Sequence, residues 1–373
     1  MLYVDVPTLP ELKELISSRA DACLSICLPT TPETQHITGS KIAFGNLVKT
    51  GLEQLEARGL DKRRRDLIEA QLTHLADDED FWRVQANSLV VLATATSIRT
   101  YRLATVVSPL VQVADRFYLK PLLRSVAFPQ TAFVLALSEN AVRLIEIFAD
   151  SPPSVVQVAD LPKSAADAAG RASVNNLTQN TRLANAEGQT VLLRQFARKV
   201  DAAIRTVLAG RSTPLIVAAT EPLGPIFRSL CSYPALLGQG IAGSPDRLTE
   251  LELATEARSL LDIFYREQID DVKALYEARF NSRRATTDIV EAARAATNGA
   301  IESLMVDIDG MVYGTVDETD GAVVFADTPE AGAYDIVEEI AGRAILAGAG
   351  FLAVRNEDVP GNAPLAVTLR YPI

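Results

Sequence analysis

The stretch that most constrains this chain is a polar one, residues 170–189, GRASVNNLTQNTRLANAEGQ. It is rich in Asn and Gln and has almost no apolar periodicity. A strand-like run precedes it at 154–161, and a strongly amphipathic helix follows at 190–208. A structureless connection of this length is uncommon inside a compact domain, and is usually functional or disordered. It ends in Glu187-Gly188-Gln189 at the lip of the helix. Whether those residues do chemistry is the main question that the sequence poses.

At 373 residues the chain exceeds one ordinary core, so two or three domains are expected. An apolar content of 48% supports well-buried domains rather than disorder. No run of eighteen apolar residues occurs, and no basic segment precedes an apolar one at the N-terminus. Neither a membrane span nor a signal peptide is expected. Three cysteines, an odd number, fit a reducing cytoplasm better than a disulfide scaffold. The formal charge of −11 argues against indiscriminate nucleic-acid binding and leaves room for a local basic patch. DNA is not an expected partner.

Along the chain, Thr8-Leu9-Pro10-Glu11 reads as a capping box before a short helix. Residues 22–28 form an apolar run ended by Pro29, a buried strand that puts Cys23 and Cys27 on one side as small hydrophobes. Helices follow at 41–58 and 61–76, split by Gly59. The second opens with Lys62-Arg63-Arg64-Arg65, read first as a solvated face. Alternation at 88–95, 99–106 and 110–114 predicts an antiparallel meander. The pattern restarts near Phe128-Pro129. A hairpin is expected at 131–137 and 141–148, with further strands at 154–158 and 214–219. Helices are expected at 190–208 and 221–232, and as one or two helices at 247–280. The glycine-rich 238–245 has neither phosphate-loop nor dinucleotide spacing and reads as a connection. From Asp288, helices alternate with short strands, which suggests an α/β/α sandwich. His36 and His74 are the only histidines, so His-based triads and metal sites have little material. No spacing of carboxylates picks out a pair, and neither a metal nor a cofactor is expected.

Several segments together resemble one family. These are Cys23–Pro29 with Thr30, Phe81-Trp82-Arg83-Val84-Gln85, residues 115–123 (DRFYLKPLL) and residues 135–144 (LALSENAVRL). Later come Tyr233-Pro234-Ala235-Leu236-Leu237, residues 240–248 (GIAGSPDRL), residues 361–366 (GNAPLA) and Arg370-Tyr371. In these the chain is similar to the bacterial archaeo-eukaryotic release factors, relatives of eukaryotic class-1 release factors and of Pelota. The resemblance spans nearly the whole chain. It implies an α/β protein of three domains: an α+β N-terminal domain at 1–128, a ribonuclease-H-like middle domain at 129–284 carrying the loop 170–189, and a C-terminal α/β/α domain at 285–373 like small RNA-binding ribosomal proteins. It also implies association with the ribosome, through rRNA and tRNA, and a translational GTPase as a further partner.

In true release factors the middle-domain loop carries Gly-Gly-Gln, which promotes hydrolysis of peptidyl-tRNA. Glycines there allow backbone conformations closed to other residues, and the glutamine positions water and stabilises an oxyanion through its N–H. Gly188-Gln189 stands where such a tip would lie, with Glu187 replacing the first glycine. That carboxylate adds negative charge near phosphates. Read without the resemblance, Glu187 is a first-turn acid favouring the start of the helix at Thr190. The leading expectation is therefore a ribosome-associated protein binding near the A site without robust catalysis. Its candidate RNA contacts are Lys62, Arg63, Arg64, Arg65, Arg194, Arg198, Lys199, Arg283 and Arg284. The alternatives are an active peptidyl-tRNA hydrolase using Gly188 and Gln189, in termination or ribosome rescue, and a protein-interaction adaptor with no RNA role.

Overall fold

The all-apolar strand from Cys23 must be covered on both faces, and the N-terminal part is built around it. The computed structural model describes residues 4–129, 131–148, 152–169, 182–211, 213–327 and 333–372, with backbone alone at Thr34 and 182–187. Helix α1 (Leu9–Ser17) is opened by the expected capping box: the Thr8 N–H donates to Glu11 Oε2 at 2.8 Å and the Glu11 N–H to Thr8 Oγ1 at 3.4 Å. Strand β1 (Cys23–Pro29) alternates cleanly. Cys23 and Cys27 enter one core, and Leu24, Ile26 and Leu28 enter another. Burial pushes the two thiols up to about 11 and about 12, so they are packing groups without thiolate character.

Helices α2 (Ile37–Ala57), α3 (Lys62–Asp77) and α4 (Glu79–Arg83) cover the Leu24–Ile26–Leu28 face through Phe44, Leu55, Ile68, Leu72 and Trp82. The Trp82 indole N–H donates to Leu75 O at 2.9 Å, so this fully buried ring keeps its polar handle satisfied. Strands β2 (Ser88–Ala93), β3 (Ile98–Leu103) and β4 (Leu110–Ala114) complete the sheet in the order β3-β2-β1-β4. The expected meander is thus corrected. Strands β2 and β3 form a hairpin, but β4 crosses to the far side of β1 and pairs there, Leu24 opposite Val113. The burial pattern supplies the reason. Strands β1 and β2 are apolar on both faces and take the centre, while the half-buried β3 and β4 tolerate the edges. Helix α5 (Lys120–Ala127) follows.

A second compact unit spans residues 130–266. Strands β5 (Ala132–Leu137), β6 (Val142–Ile147) and β7 (Ser154–Val156) are antiparallel. After helices α6 (Ala165–Ala168) and α7 (Arg182–Leu208), strand β8 (Leu215–Ala219) pairs parallel to β5. Helix α8 (Leu223–Leu230) and strand β9 (Ile241–Ala242), parallel to β8, complete the order β7-β6-β5-β8-β9. Three antiparallel strands followed by two parallel ones on the other side make a ribonuclease-H-like sheet. Its core sets Phe133, Leu135 and Leu137 against Leu193, Phe196, Val200 and Ile204 of α7 and Phe227 of α8. The glycine-rich connection contains β9. Helix α9 (Glu250–Phe280) is one helix rather than two, opened by a capping box between Thr249 and Glu252.

The remaining elements are strand β10 (Ala285–Thr286), helix α10 (Ile289–Thr297), strands β11 (Ile301–Asp307), β12 (Tyr313–Val316), β13 (Val323–Phe325) and β14 (Tyr334–Asp335), helix α11 (Ile336–Leu346), and strands β15 (Gly350–Val354) and β16 (Leu365–Leu369). A mixed sheet runs β10-β16-β11-β15, with only β15 parallel to β11, and a small sheet runs β13-β12-β14. These elements pack with residues 1–129 into one unit. A single core joins Leu12 and Ile16 of α1 and Cys27 of β1 to Ile340, Ala344 and Leu304. The segment 115–123 closes that junction electrostatically. Lys120, 2% exposed, places Nζ 2.5 Å from Asp335 Oδ2 and donates to Gly310 O. Arg116 pairs with Glu339 and stacks 3.7 Å from the Tyr334 ring centroid, while the Leu119 N–H donates to Glu338. Pairing and hydrogen bonding are what make such buried charges tolerable. No helix of the described residues is long and apolar enough to cross a membrane.

Candidate functional site

Both described flanks of the polar stretch meet at one hairpin turn. Ser138, between β5 and β6, accepts the N–H groups of Asn140 and Ala141 at 3.1 and 2.9 Å and so holds the turn closed. Its neighbour Glu139 accepts the Ala165 N–H on its carbonyl at 2.9 Å, which ties down the start of α6. The Glu139 carboxylate in turn accepts Gln189 Nε2 at 3.4 Å from α7. Glu139 therefore anchors the chain before and after the stretch, a role that no spacing in the sequence signals. Residues 170–181, which hold most of that stretch, lie outside the described residues.

Helix α7 begins at Arg182, eight residues before the expected start at Thr190. Residues such as Leu, Ala, Glu and Gln at 183–189 favour a helix by propensity although they lack an apolar stripe. Gly188 and Gln189 consequently lie past the first four N–H groups of α7, and their own N–H groups are those that helical bonding uses. Gly188 is not among the left-handed glycines, and a Cβ added there would meet nothing within 4 Å. Neither backbone conformation nor packing demands glycine at this position. In this geometry the pair offers a side-chain amide, with no free backbone donor for an oxyanion.

Further along α7, Leu193, Phe196, Ala197 and Val200 face the core, which turns Arg194, Arg198 and Lys199 outward. Arg194 and Arg198 stand one turn apart on one exposed face. Lys199 donates to Ala168 O at 2.7 Å and helps fix α6. Asp201, 5% exposed, accepts Arg205 at 2.5 Å and the Ser232 N–H at 3.2 Å, so it ties the end of α8 to α7. Burial raises the Cys231 thiol, which leaves no activated nucleophile beside it. Among the described residues no group of His, Cys, Asp and Glu is arranged to hold a metal ion.

The other basic candidates belong to the unit formed by residues 1–129 and 267–373. Lys62, Arg63, Arg64 and Arg65 occupy the first turn of α3, where positive charge opposes the helix dipole. The Asp61 cap and the pairs Arg64–Asp21 and Arg65–Glu56 (3.1 Å) offset this, and Lys62 and Arg63 are exposed. Arg283 is exposed and left-handed, φ 55°. Arg284 donates to Leu369 O and Arg370 O at 3.0 and 2.7 Å, so much of its guanidinium is structural.

Residues 129–267 match the family model of bacterial archaeo-eukaryotic release factor family 11. Over this span the chain is similar to that release factor family. The match coincides with the ribonuclease-H-like unit and the polar stretch, and takes in Gly188, Gln189 and the basic face of α7. No protein of curated function matches the sequence. Among solved structures, Saccharomyces cerevisiae Dom34, a translation termination-like factor, is 14% identical over 74% of each chain with a TM-score of 0.44. The archaeal translation termination factor aRF1 is 13% identical over 98% of this chain and 99% of its own, with a TM-score of 0.25. Ribosome-bound archaeal Pelota is 10% identical over 77% of this chain and 78% of its own, with a TM-score of 0.42. At these scores the solved structures add no argument about the site.

Proposed function

We propose that this release factor-like protein binds the ribosome near the A site and does not carry robust peptidyl-tRNA hydrolysis. The observation that carries the second half is the helical setting of Gly188-Gln189 together with Glu187 in place of a first glycine. Catalysis by such a tip calls for a donor aimed at developing oxyanion charge, and helical bonding uses the backbone N–H groups at these positions. The family match over residues 129–267 supports the first half. On the middle unit, the phosphate contacts are Arg194 and Arg198, with Lys199 committed in part to α6. The ribosome-binding Pelota structure is that of another protein, and its partner is carried over here as part of the proposal.

The test is sedimentation of the full chain with and without ribosomes at low and moderate salt. Co-migration that weakens as salt rises is expected for phosphate-mediated binding; absence from the ribosomal fraction at low salt overturns the proposal. Release of a labelled nascent peptide from stalled ribosomes separates binding from catalysis. Release above background that disappears in Gln189→Ala would establish the hydrolase alternative instead. Partners that survive nuclease digestion, with no ribosomes among them, would favour the adaptor.

A further inference from the structure

Four arginines gather where α9 ends and β16 leaves the C-terminal sheet, and two exposed aromatic residues stand next to two of them in the chain. Arg279 donates to Glu302 Oε1 at 3.0 Å and to Leu369 O at 3.0 Å. Arg284 bonds the same Leu369 carbonyl and that of Arg370. Arg370 is pinned by Gly299 O and Ala347 O, both at 3.1 Å. Arg279, Arg284 and Arg370 together hold the Glu302 carboxyl below the usual range, the hydrogen bond from Arg279 being the largest cause. Arg283 adds an exposed guanidinium at the left-handed turn between Arg279 and Arg284. Glu302 is the one carboxylate that the ion pairs of these arginines involve among the described residues, so the cluster is positive within a chain of net charge −11.

Two aromatic residues follow members of the cluster in the chain. Phe280, beside Arg279, is 57% exposed, and its ring lies 5.8 Å from the buried Tyr276 ring, tilted by 34°. Tyr371, beside Arg370, is 53% exposed. An apolar ring left in water and backed by a second, buried ring is a pre-set stacking surface rather than a spare core residue. Fixed guanidiniums with adjacent exposed rings are what a single strand of nucleic acid requires, phosphates on the first and unpaired bases on the second.

We propose that Phe280 and Tyr371, with Arg279, Arg283, Arg284 and Arg370, form a binding site for single-stranded nucleic acid. The site is distinct from the basic face of α7. A duplex keeps its bases stacked inside and reaches only the arginines. The proposal deepens the ribosome reading by assigning it a single-stranded ligand, and RNA is the source that reading supplies. Its test does not use ribosomes.

The experiment is fluorescence anisotropy with the full chain and labelled oligouridylate, its deoxy counterpart, and an RNA duplex of equal length, at two salt concentrations. Oligouridylate is expected to bind more tightly than the duplex, with affinity falling as salt rises. Phe280→Ala and Tyr371→Ala are each expected to weaken oligouridylate about tenfold, while the melting temperature falls by no more than about 2–4 °C, since both side chains are about half exposed and Phe280 gives up only its pairing with Tyr276. Arg283→Gln should lower the salt dependence by about one phosphate contact. Equal or tighter deoxy binding keeps the site and assigns it to single strands of either sugar. No oligonucleotide binding, or binding that both aromatic variants leave untouched, overturns the proposal. If ribosomes still co-sediment in that case, the ribosome reading stands and this site alone fails.

Discussion

Gln189 is exposed and its side-chain contact is one 3.4 Å hydrogen bond to the half-buried Glu139, so Gln189→Ala should alter stability by no more than about 0.5 kcal/mol. Thermal unfolding checks this, and a large loss would mean that the Glu139 anchor holds more than the structure indicates. Glu338 behaves differently. Its carboxyl is desolvated and faces Asp335, and both raise its pKa well above 4.5, although the residue as a whole is only half-buried. The Leu119 N–H and Lys120 act in the opposite direction, and Glu339 adds to the rise. The native state therefore binds this proton more tightly than the unfolded chain does. Stability contributed by the protonated form is complete below about pH 4.5 and is lost as pH rises toward the folded pKa. Glu338→Gln keeps an acceptor for Leu119 and removes the titration. Its melting temperature should exceed that of the parent increasingly above pH 4.5, by about 2–4 °C for each 1 kcal/mol. A difference that does not vary with pH would contradict this account.

Single elements show how much could be read beforehand. The strand from Cys23 and the Thr8–Glu11 capping box were legible because each depends on near neighbours, an apolar run and a cap, whereas the stripe after Thr249 marked helix but left one or two helices open. The placement of β4 beyond β1 was not, because pairing partners are chosen by burial over the whole sheet, and a short turn suggests only the nearest strand. The start of α7 was hidden for the opposite reason. Residues 182–189 are helical by propensity with no apolar stripe, so periodicity marks no helix there. Of the site, the basic residues of α7 were legible as charges; Glu139 was not, since its partners are 26 and 50 residues away. Two glycines give a graded test at this scale. Gly348, φ 82°, has open space around a Cβ, so Gly348→Ala should cost about 1–2 kcal/mol for the backbone alone. Gly321, φ 72°, would set a Cβ 2.8 Å from Arg294 Cα and 2.9 Å from Ala293 O. Gly321→Ala should be the more destabilising of the two, and chemical denaturation gives the order directly.

For the molecule as a whole, the important fact is that residues 1–129 and 267–373 share one core while residues 130–266 have their own. Residues 130–266 expressed alone should be folded and monomeric, with a cooperative unfolding transition. Residues 1–129 alone should not match this. Without α10, α11 and the C-terminal sheet, the side of β1 and β2 carrying Cys23, Cys27, Val90 and Leu92 has lost much of its cover, and a large exposed apolar patch leads to association. Size-exclusion chromatography of the two fragments checks both outcomes. A monomeric, cooperatively folded 1–129 would show that its own sheet and helices suffice.

That shared core also sets a schedule during synthesis. The N-terminal strands emerge first, but the helices that cover one of their faces are made only after the whole middle unit. At roughly 5–20 residues per second the delay is on the order of ~10–50 s. During that interval the middle unit is free to fold, while an incomplete sheet waits beside the exit tunnel with one oily side uncovered. Synonymous changes that slow translation of residues 267–373 should therefore lower the soluble yield more than equal slowing before residue 129, with no amino acid altered.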